Sequence, residues 1–407
     1  MHATPDAMTP SKDDRAWARS GAMSLTGHAG GAPLCPPTRA ATLVDELAAP
    51  FGLDSGLLAE RAALTGWERD GRVTLGGAGR LLRARDGWVA LSLPRPEDVE
   101  LIPALLGLES PAADEPWPVV ESAIASRPGA AVVERARLLG LAAAVVGGAR
   151  AHPSPWWWPH AKGAERDLDG AVVVDLSALW AGPLCGALLL RAGARVIKVE
   201  SSPRPDGARR GNSDFYDLLN VGKESVALDL TTTAGRADLG LLVARADVVI
   251  TAARSRAIAG LGLDPGAMTG RTQAWVAITA RGRDDDSVGF GDDVAAGAGL
   301  VAWDEAGEPC FAGDAIADPL CGVVAAAAVL RGAAGVVDIS MEQVASLVVA
   351  EPGARAIAAQ RCQHGGVSVE QWCLGDEPVS RPRLRRAAGS AAPLGADTSH
   401  VLARVAR

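Results

Sequence analysis

Residues 171–200, AVVVDLSALWAGPLCGALLLRAGARVIKVE, read as a strand, a loop, an Ala- and Leu-rich helix and a second strand. Ala171 to Leu176 and Arg195 to Val199 are nearly continuous apolar runs, the pattern of strands covered on both faces. Pro183 to Ala192 between them reads as a helix, so the unit is a strand–helix–strand crossover.

The same alternation continues downstream. Strand-like runs at Ser225 to Leu230, Asp247 to Thr251 and Ala274 to Thr279 are separated by helical ones at Thr233 to Ala244 and Arg254 to Leu261. The spacing predicts an α/β fold, with a large domain over residues 171–350 whose mostly parallel, Rossmann-like sheet is flanked by helices. Residues 351–407 are then a return segment and C-terminal tail of that domain. Ligands of such sheets bind beyond the carboxyl ends of the strands.

Upstream the pattern changes. Residues 151–170, AHPSPWWWPHAKGAERDLDG, carry three prolines and three consecutive tryptophans, which suit neither a helix nor a paired strand and mark a linker. Trp156 to Trp158 would cover their own domain, a subunit interface or an adenine ring. Residues 41–150 hold helical stretches (Thr42 to Ala49, Pro96 to Leu106, Ala131 to Leu141) around one strand-like run, Gly87 to Leu93, and are expected to form a smaller α+β domain. Residues 1–40, rich in Pro, Gly and small polar side chains, are expected to be a mobile leader and loop.

With 407 residues there is enough chain for two cores. A formal charge of −8 gives no general attraction to nucleic acid or to an acidic membrane surface. No apolar run reaches the roughly 20 residues of a membrane span, and Met1 to Arg19 lack a signal-peptide core, so no membrane association and a cytoplasmic location are expected. The six cysteines (Cys35, Cys185, Cys310, Cys321, Cys362, Cys373) form no CxxC pair, and the histidines do not join them at metal-ligand spacing. Reduced thiols and no metal are expected.

The first strand of the large domain ends at Asp175, and the loop before the helix carries a single glycine, Gly182. A helix N-terminus there offers free N–H groups to a phosphate. The GxGxxG pattern is absent, which removes most support for a nicotinamide or flavin enzyme. Past Glu200 lie Arg204, Arg209 and Arg210, either a phosphate clamp or a solvated arginine loop.

Six segments stand in a familiar order: residues 172–200, then NVGKESVALDL (220–230), ARADVVI (244–250), GLGLDP (260–265), AIADPLCGVVAAAAVL (315–330) and VVDISMEQ (336–343). Over residues 167–348 the chain resembles the class III coenzyme A transferases, the family of formyl-CoA transferase and carnitine CoA-transferase, which also contains α-methylacyl-CoA racemase. Residues 393–402 resemble the family's closing segment. The resemblance implies that Asp318, in Ala317-Asp318-Pro-Leu-Cys-Gly322-Val-Val-Ala-Ala326, is the nucleophile; taken alone, an aspartate there reads first as a helix cap. A carboxylate attacks an acyl-CoA to give a mixed anhydride, and the released thiolate converts this to an aspartyl-CoA thioester that an acceptor carboxylate takes over. Such a site excludes water and stabilises oxyanions with backbone N–H donors.

Carried over residue by residue, the family's CoA-contacting loop falls on Trp180, Ala181 and Gly182, its phosphate-side arginine on Arg209, and its adenine-side strand on Leu228, Asp229 and Leu230. Trp180 is bulkier than usual. The implied substrates are an acyl-CoA and a carboxylic acid, with coenzyme A as substrate, no cofactor, and a homodimer as the working form.

The chain also departs from the family pattern. The Asn/Arg pair after the strand ending at Thr251 is replaced by Ala252 and Gly260, and Ala280-Arg-Gly-Arg283 stands where Ser-Gly-Phe-Gly is usual. No glycine-rich loop that would shield the intermediate is found near Asp318. The racemase histidine is missing from Gly291-Asp292-Asp293, which disfavours two-base racemisation. About 40 residues separate Glu342 from the closing segment, too few for the small domain inserted there in the family. Residues 20–33 resemble the stretch that normally precedes the catalytic aspartate and residues 83–92 a strand of the small domain, so residues 41–150 are either that small domain in permuted position or an unrelated unit. A catalytically weak acyl-CoA binding or accessory protein is the alternative function.

Overall fold

The computed structural model describes residues 9–108, 115–149, 166–268, 273–364 and 367–406. Its centre is a six-stranded parallel sheet of β1 (Val172–Asp175), β2 (Arg195–Ser201), β3 (Glu224–Leu228), β4 (Val248–Thr251), β5 (Ala274–Thr279) and β6 (Gly335–Ser340). The strands lie in the order β3-β2-β1-β4-β5-β6. This is the doubly wound order, in which the chain direction across the sheet reverses between β1 and β4 and opens a crevice at their carboxyl ends.

The apolar runs are continuous because both faces are covered. Val173, Val196, Val248, Ile250, Val276 and Ile278 enter the core on one side, and Val174, Ile197, Val199, Val226, Val249 and Trp275 the core on the other. The expected α/β class is therefore the observed one. Helix α1 (Ala181–Arg191) follows β1, and two more helices frame the site, α2 (Gly291–Gly297) and α3 (Ala317–Leu330). Gly322 lets α1 and α3 approach, since a Cβ there would lie 2.7 Å from the Ala181 carbonyl oxygen.

A second, antiparallel sheet joins Gly79–Ala84, Gly87–Ser92 and Ala142–Val145. Helices Ile102–Leu106, Trp117–Ala125 and Gly129–Leu138 cover one face of it, and Ala296, Val301 and Phe311 meet the other. The strand at Gly87 was legible; Ala142–Val145, an alanine run, has the composition of a helix and only its pairing makes it a strand.

Residues 9–40, expected to be a mobile leader, are packed instead. The helix Lys12–Arg19 is capped by Ser11 and Asp14, and its Trp17 is wholly buried. Met23, Cys35, Leu43, Val44, Leu47 and Leu58 share the core of α3. The physical reason is spacing: a few large apolar side chains among Gly, Ser and Pro suffice to bury a segment whose average composition looks like a linker. The Trp156 to Trp158 stretch lies outside the described residues.

After β6 the helix Met341–Val348 leads back to the N-terminal segment, where Ile357–Ala358 pairs with Leu34–Cys35. A hairpin of Gln360–His364 and Val367–Leu374 follows, and Cys362 and Cys373 are joined across it in a disulfide. This corrects the expectation of six reduced thiols: spacing along the chain could not show that a hairpin places these two on facing strands. Cys35, Cys185, Cys310 and Cys321 are free and buried. The closing segment seals the β3 edge, with Ser225 N–H donating to Asp397 Oδ2 at 2.8 Å and Ala227 N–H to Thr398 Oγ1 at 3.0 Å. Among the described residues no helix is long and apolar enough to cross a membrane.

Candidate active site

The crevice is built on buried charge. Asp175, at the end of β1, accepts from Lys223 Nζ at 2.9 Å, and both side chains are sealed from solvent. Burial alone would raise Asp175, but Lys223 and Lys198 outweigh it and hold the carboxyl below its usual range. Lys198 pairs with Asp206 at 2.9 Å and donates to the Ser177 carbonyl at 3.0 Å. Asp206 in turn accepts the Leu179 N–H at 3.1 Å, which fixes Leu179 in the left-handed region at φ 68°. The loop between β1 and α1 is thus held from beneath. Gly182 completes it, because a Cβ would lie 2.2 Å from the Ser177 side chain.

Asp318 occupies the first turn of α3. Its Oδ2 accepts the Gly291 N–H at 3.1 Å from the start of α2. Protein atoms surround the carboxyl, yet part of its surface remains open to a cavity of about 320 Å³. Burial pushes the Asp318 carboxyl up to about 7, with Arg61 and the Gly291 N–H pulling it back and Asp314 and Asp293 adding to the rise.

Three further carboxyls crowd around it. Asp314 is buried and bidentate to Arg61, through Nε at 2.9 Å and Nη2. Asp292 accepts the Ala315 N–H at 3.0 Å and is itself pushed up to about 7, first by burial and then by Asp314. Asp293 is buried beside Arg281 at 3.5 Å, and burial raises it to about 6. Burial works against the Arg61 charge, but Asp314, Asp292 and Asp318 more than restore it. The guanidinium also lies 4.7 Å over the Trp180 ring.

The Asp318 cavity sits at the carboxyl ends of β1, β4 and β5, walled by Ala178, Leu179, Ala181, Ala253, Thr279 and Phe290. It shares Arg95, Arg254, Asp285, Ser287 and Val288 with an outer cleft of about 1480 Å³ that runs between the small sheet's helices and the main sheet. That volume exceeds the roughly 300–1,000 Å³ of an ordinary small-ligand pocket. Arg95, Arg256 and Arg281 in the cleft are paired with Asp98, Asp286 and Glu342. Arg137, Arg204 and Arg254 line the same cleft and form no ion pair among the described residues.

Of the residues singled out in the sequence, Asp318 and Ala181 face this cavity. Trp180 is buried edge-on against Phe215, with ring centroids 5.0 Å apart, and Gly182 packs on Ser177. Arg209 is committed elsewhere: its Nε and Nη2 bind both oxygens of Glu200 at 2.9 and 2.6 Å, and the guanidinium lies 4.6 Å over Tyr216. The Nε–Nη2 edge of its fork is therefore filled by a neighbouring carboxylate. Leu228 is buried in the β3 core, Asp229 caps a turn through the Thr231 N–H at 3.0 Å, and Leu230 packs beside them, so none reaches the cavity. The cluster of Arg61 with Asp314 and Asp292 was not legible in the sequence, because Arg61 lies 253 residues before Asp314 and only the fold brings them together. Among the described residues no group of side chains could hold a metal ion.

Comparison with known proteins places this geometry in a family. Residues 168–373 match the profile of CoA-transferase family III. A Mycobacterium tuberculosis protein named "Probable fatty acyl-CoA transferase" is 33% identical over 204 residues, which cover 44% of this chain and 52% of the relative. The succinate–glutarate CoA-transferase of Agrobacterium fabrum is 31% identical over 182 residues, covering 40% of this chain and 46% of the relative. The crystal structure of a CAIB/BAIF family protein from Brucella suis is 29% identical over 46% of this chain and 56% of its own, with a TM-score of 0.41. The chain spans about half the length of these relatives. The matched region is just over half of the chain and contains β1 to β6, α1 and Asp318, and the chain belongs to CoA-transferase family III.

Proposed function

We propose that this chain moves coenzyme A between an acyl-CoA and a carboxylic acid, with Asp318 as nucleophile. The observation that carries the reading is the placement of Asp318: a half-open carboxyl at a helix start, facing a cavity at the sheet's switch point that opens into an arginine-lined cleft. In the forward half-reaction one Asp318 oxygen attacks the thioester carbonyl, forming the acyl–aspartyl anhydride as the C–S bond breaks and the thiolate leaves. The thiolate then attacks the Asp318 carbonyl, expelling the product carboxylate and leaving an aspartyl-CoA thioester. The acceptor carboxylate repeats both steps in reverse order. Coenzyme A lies in the outer cleft, with its phosphates near Arg204, Arg254 and Arg137. The role first assigned to Arg209 thereby passes to Arg204 and Arg254.

A homodimer in the cytoplasm is the proposed working form, and the small antiparallel unit takes the place of the family's small domain in permuted order. A second reading, a chain that binds acyl-CoA without turning it over, is favoured by the replacement of the family's Asn/Arg pair with Ala252 and Gly260. Exchange of isotopically labelled CoA into a panel of acyl-CoAs separates the two. Exchange by the wild type and none by Asp318→Ala supports the transferase; binding without exchange in both supports the second reading.

A further inference from the structure

Two consecutive residues at the start of α2 grip the Asp318 turn from both ends. Gly291 N–H donates to Asp318 Oδ2 at 3.1 Å, and Asp292 Oδ1 accepts the Ala315 N–H at 3.0 Å. The ring closes through the backbone, because the Ala315 carbonyl accepts the Asp318 N–H at 2.8 Å. Ala315 is the strained member: its φ is 42°, in the left-handed region that a residue with a side chain rarely adopts. Such a conformation persists where the surroundings over-determine it. Here Asp292 holds the Ala315 amide from one side, and the Arg61–Asp314 pair anchors the preceding residue on the other.

There is no slack in the ring. A Cβ on Gly291 would lie 2.3 Å from both the Ala315 carbonyl oxygen and Asp318 Oδ2. The two carboxylate oxygens of Asp318 are consequently unlike: Oδ2 is held by Gly291, whereas Oδ1 receives no hydrogen bond among the described residues. A partial rotation of the carboxylate would break the Gly291 bond, whereas a half-turn only exchanges two equivalent oxygens.

We infer that Asp292 is a positioning residue for Asp318, fixing the 315–318 turn so that Oδ2 stays on Gly291 and Oδ1 faces the cavity. The inference rests on Asp318 being the nucleophile. Asp292 acts through the Ala315 amide, so what matters is its acceptor oxygen rather than its charge. That distinguishes it from a proton-transfer group, for which an amide would be useless.

The test compares Asp292→Ala with Asp292→Asn in the full chain, using steady-state exchange of labelled CoA. Loss of the acceptor should lower kcat on the order of 100-fold, the scale of a small misplacement of a reacting group, with KM for the acyl-CoA nearly unchanged. The asparagine should recover most of the rate, since its carbonyl oxygen can take the same N–H. In an Ala315→Gly background the Asp292→Ala loss should shrink, because glycine takes the left-handed conformation unaided. Unchanged kcat in Asp292→Ala, or an asparagine variant that is soluble and folded yet as impaired as the alanine one, overturns the inference. If Asp292→Ala does not fold, the asparagine and Ala315→Gly variants carry the comparison. Hydroxylamine capture separates the two levels: no capture at Asp318 in wild type defeats the nucleophile reading, whereas capture in Asp292→Ala as fast as in wild type defeats the positioning role.

Discussion

Gly291 and Asp318 meet at the bottom of the crevice, where the Gly291 N–H donates to Asp318 Oδ2 at 3.1 Å and a Cβ on Gly291 would fall 2.3 Å from that same oxygen. The Asp318 carboxyl is held by a position that tolerates no side chain. Gly291→Ala must push Asp318 or the Ala315 carbonyl aside, and the predicted result is a loss of kcat on the order of 100-fold, with the circular dichroism spectrum retained. Wild-type rates in that variant would show that the Gly291 contact does not matter.

The pH dependence follows from the buried carboxyl. In the proposed mechanism attack requires the ionised form, and burial pushes the Asp318 carboxyl up to about 7. The kcat/KM profile should rise with pH and level off above about 7. Arg61→Ala removes the positive charge that counteracts burial and should move the midpoint upward. The stability consequence has the opposite sense. The folded chain binds this proton more tightly than the unfolded one, so its stabilising contribution is complete below the ordinary value of 3.8 and is lost as pH rises through about 7. The melting temperature of Asp318→Asn should therefore gain on wild type across that interval, a difference readable by calorimetry.

Arg204 and Arg254 are predicted to act in binding. Replacing both with alanine should raise KM for acyl-CoA and flatten its dependence on salt, with kcat changed little. Arg209→Ala should behave differently, because its fork is filled by Glu200: a loss of thermal stability in the 200–210 loop outweighs any change in KM.

Lys223 is sealed against Asp175 and also donates to the Pro183 carbonyl at 2.8 Å and to Asn220 Oδ1 at 3.1 Å. Lys223→Met leaves the Asp175 carboxylate buried without its partner, and denaturant unfolding should report a loss of about 3–5 kcal/mol. The paired substitution Lys223→Met with Asp175→Leu should recover part of it.

The large sheet was legible because its signal is local: Val172–Asp175 and Arg195–Ser201 are apolar along their length, and the helix Thr233–Ala244 runs between the residues its pattern marks. The position of Asp318 in the first turn of a helix was legible through a short motif. The rest of the site was not, because it is made of contacts without sequence proximity. Arg61 reaches Asp314 across 253 residues, and Asp292 reaches Ala315 only once α2 has docked beside α3. Arg209 misled for the same reason. An arginine after a strand looks available until the fold shows Glu200, nine residues before it, occupying its fork. Trp17 and Met23 were hidden by the small and polar residues around them, whose average resembles a loop.

The central claim is that the acyl group passes through Asp318. Wild-type enzyme incubated with acyl-CoA and hydroxylamine, then digested and weighed, should yield the peptide containing Asp318 as its hydroxamate, with exchange activity lost in step and no such mass in Asp318→Ala. Sustained CoA exchange in the presence of hydroxylamine with Asp318 unmodified, or exchange by Asp318→Ala, would contradict it.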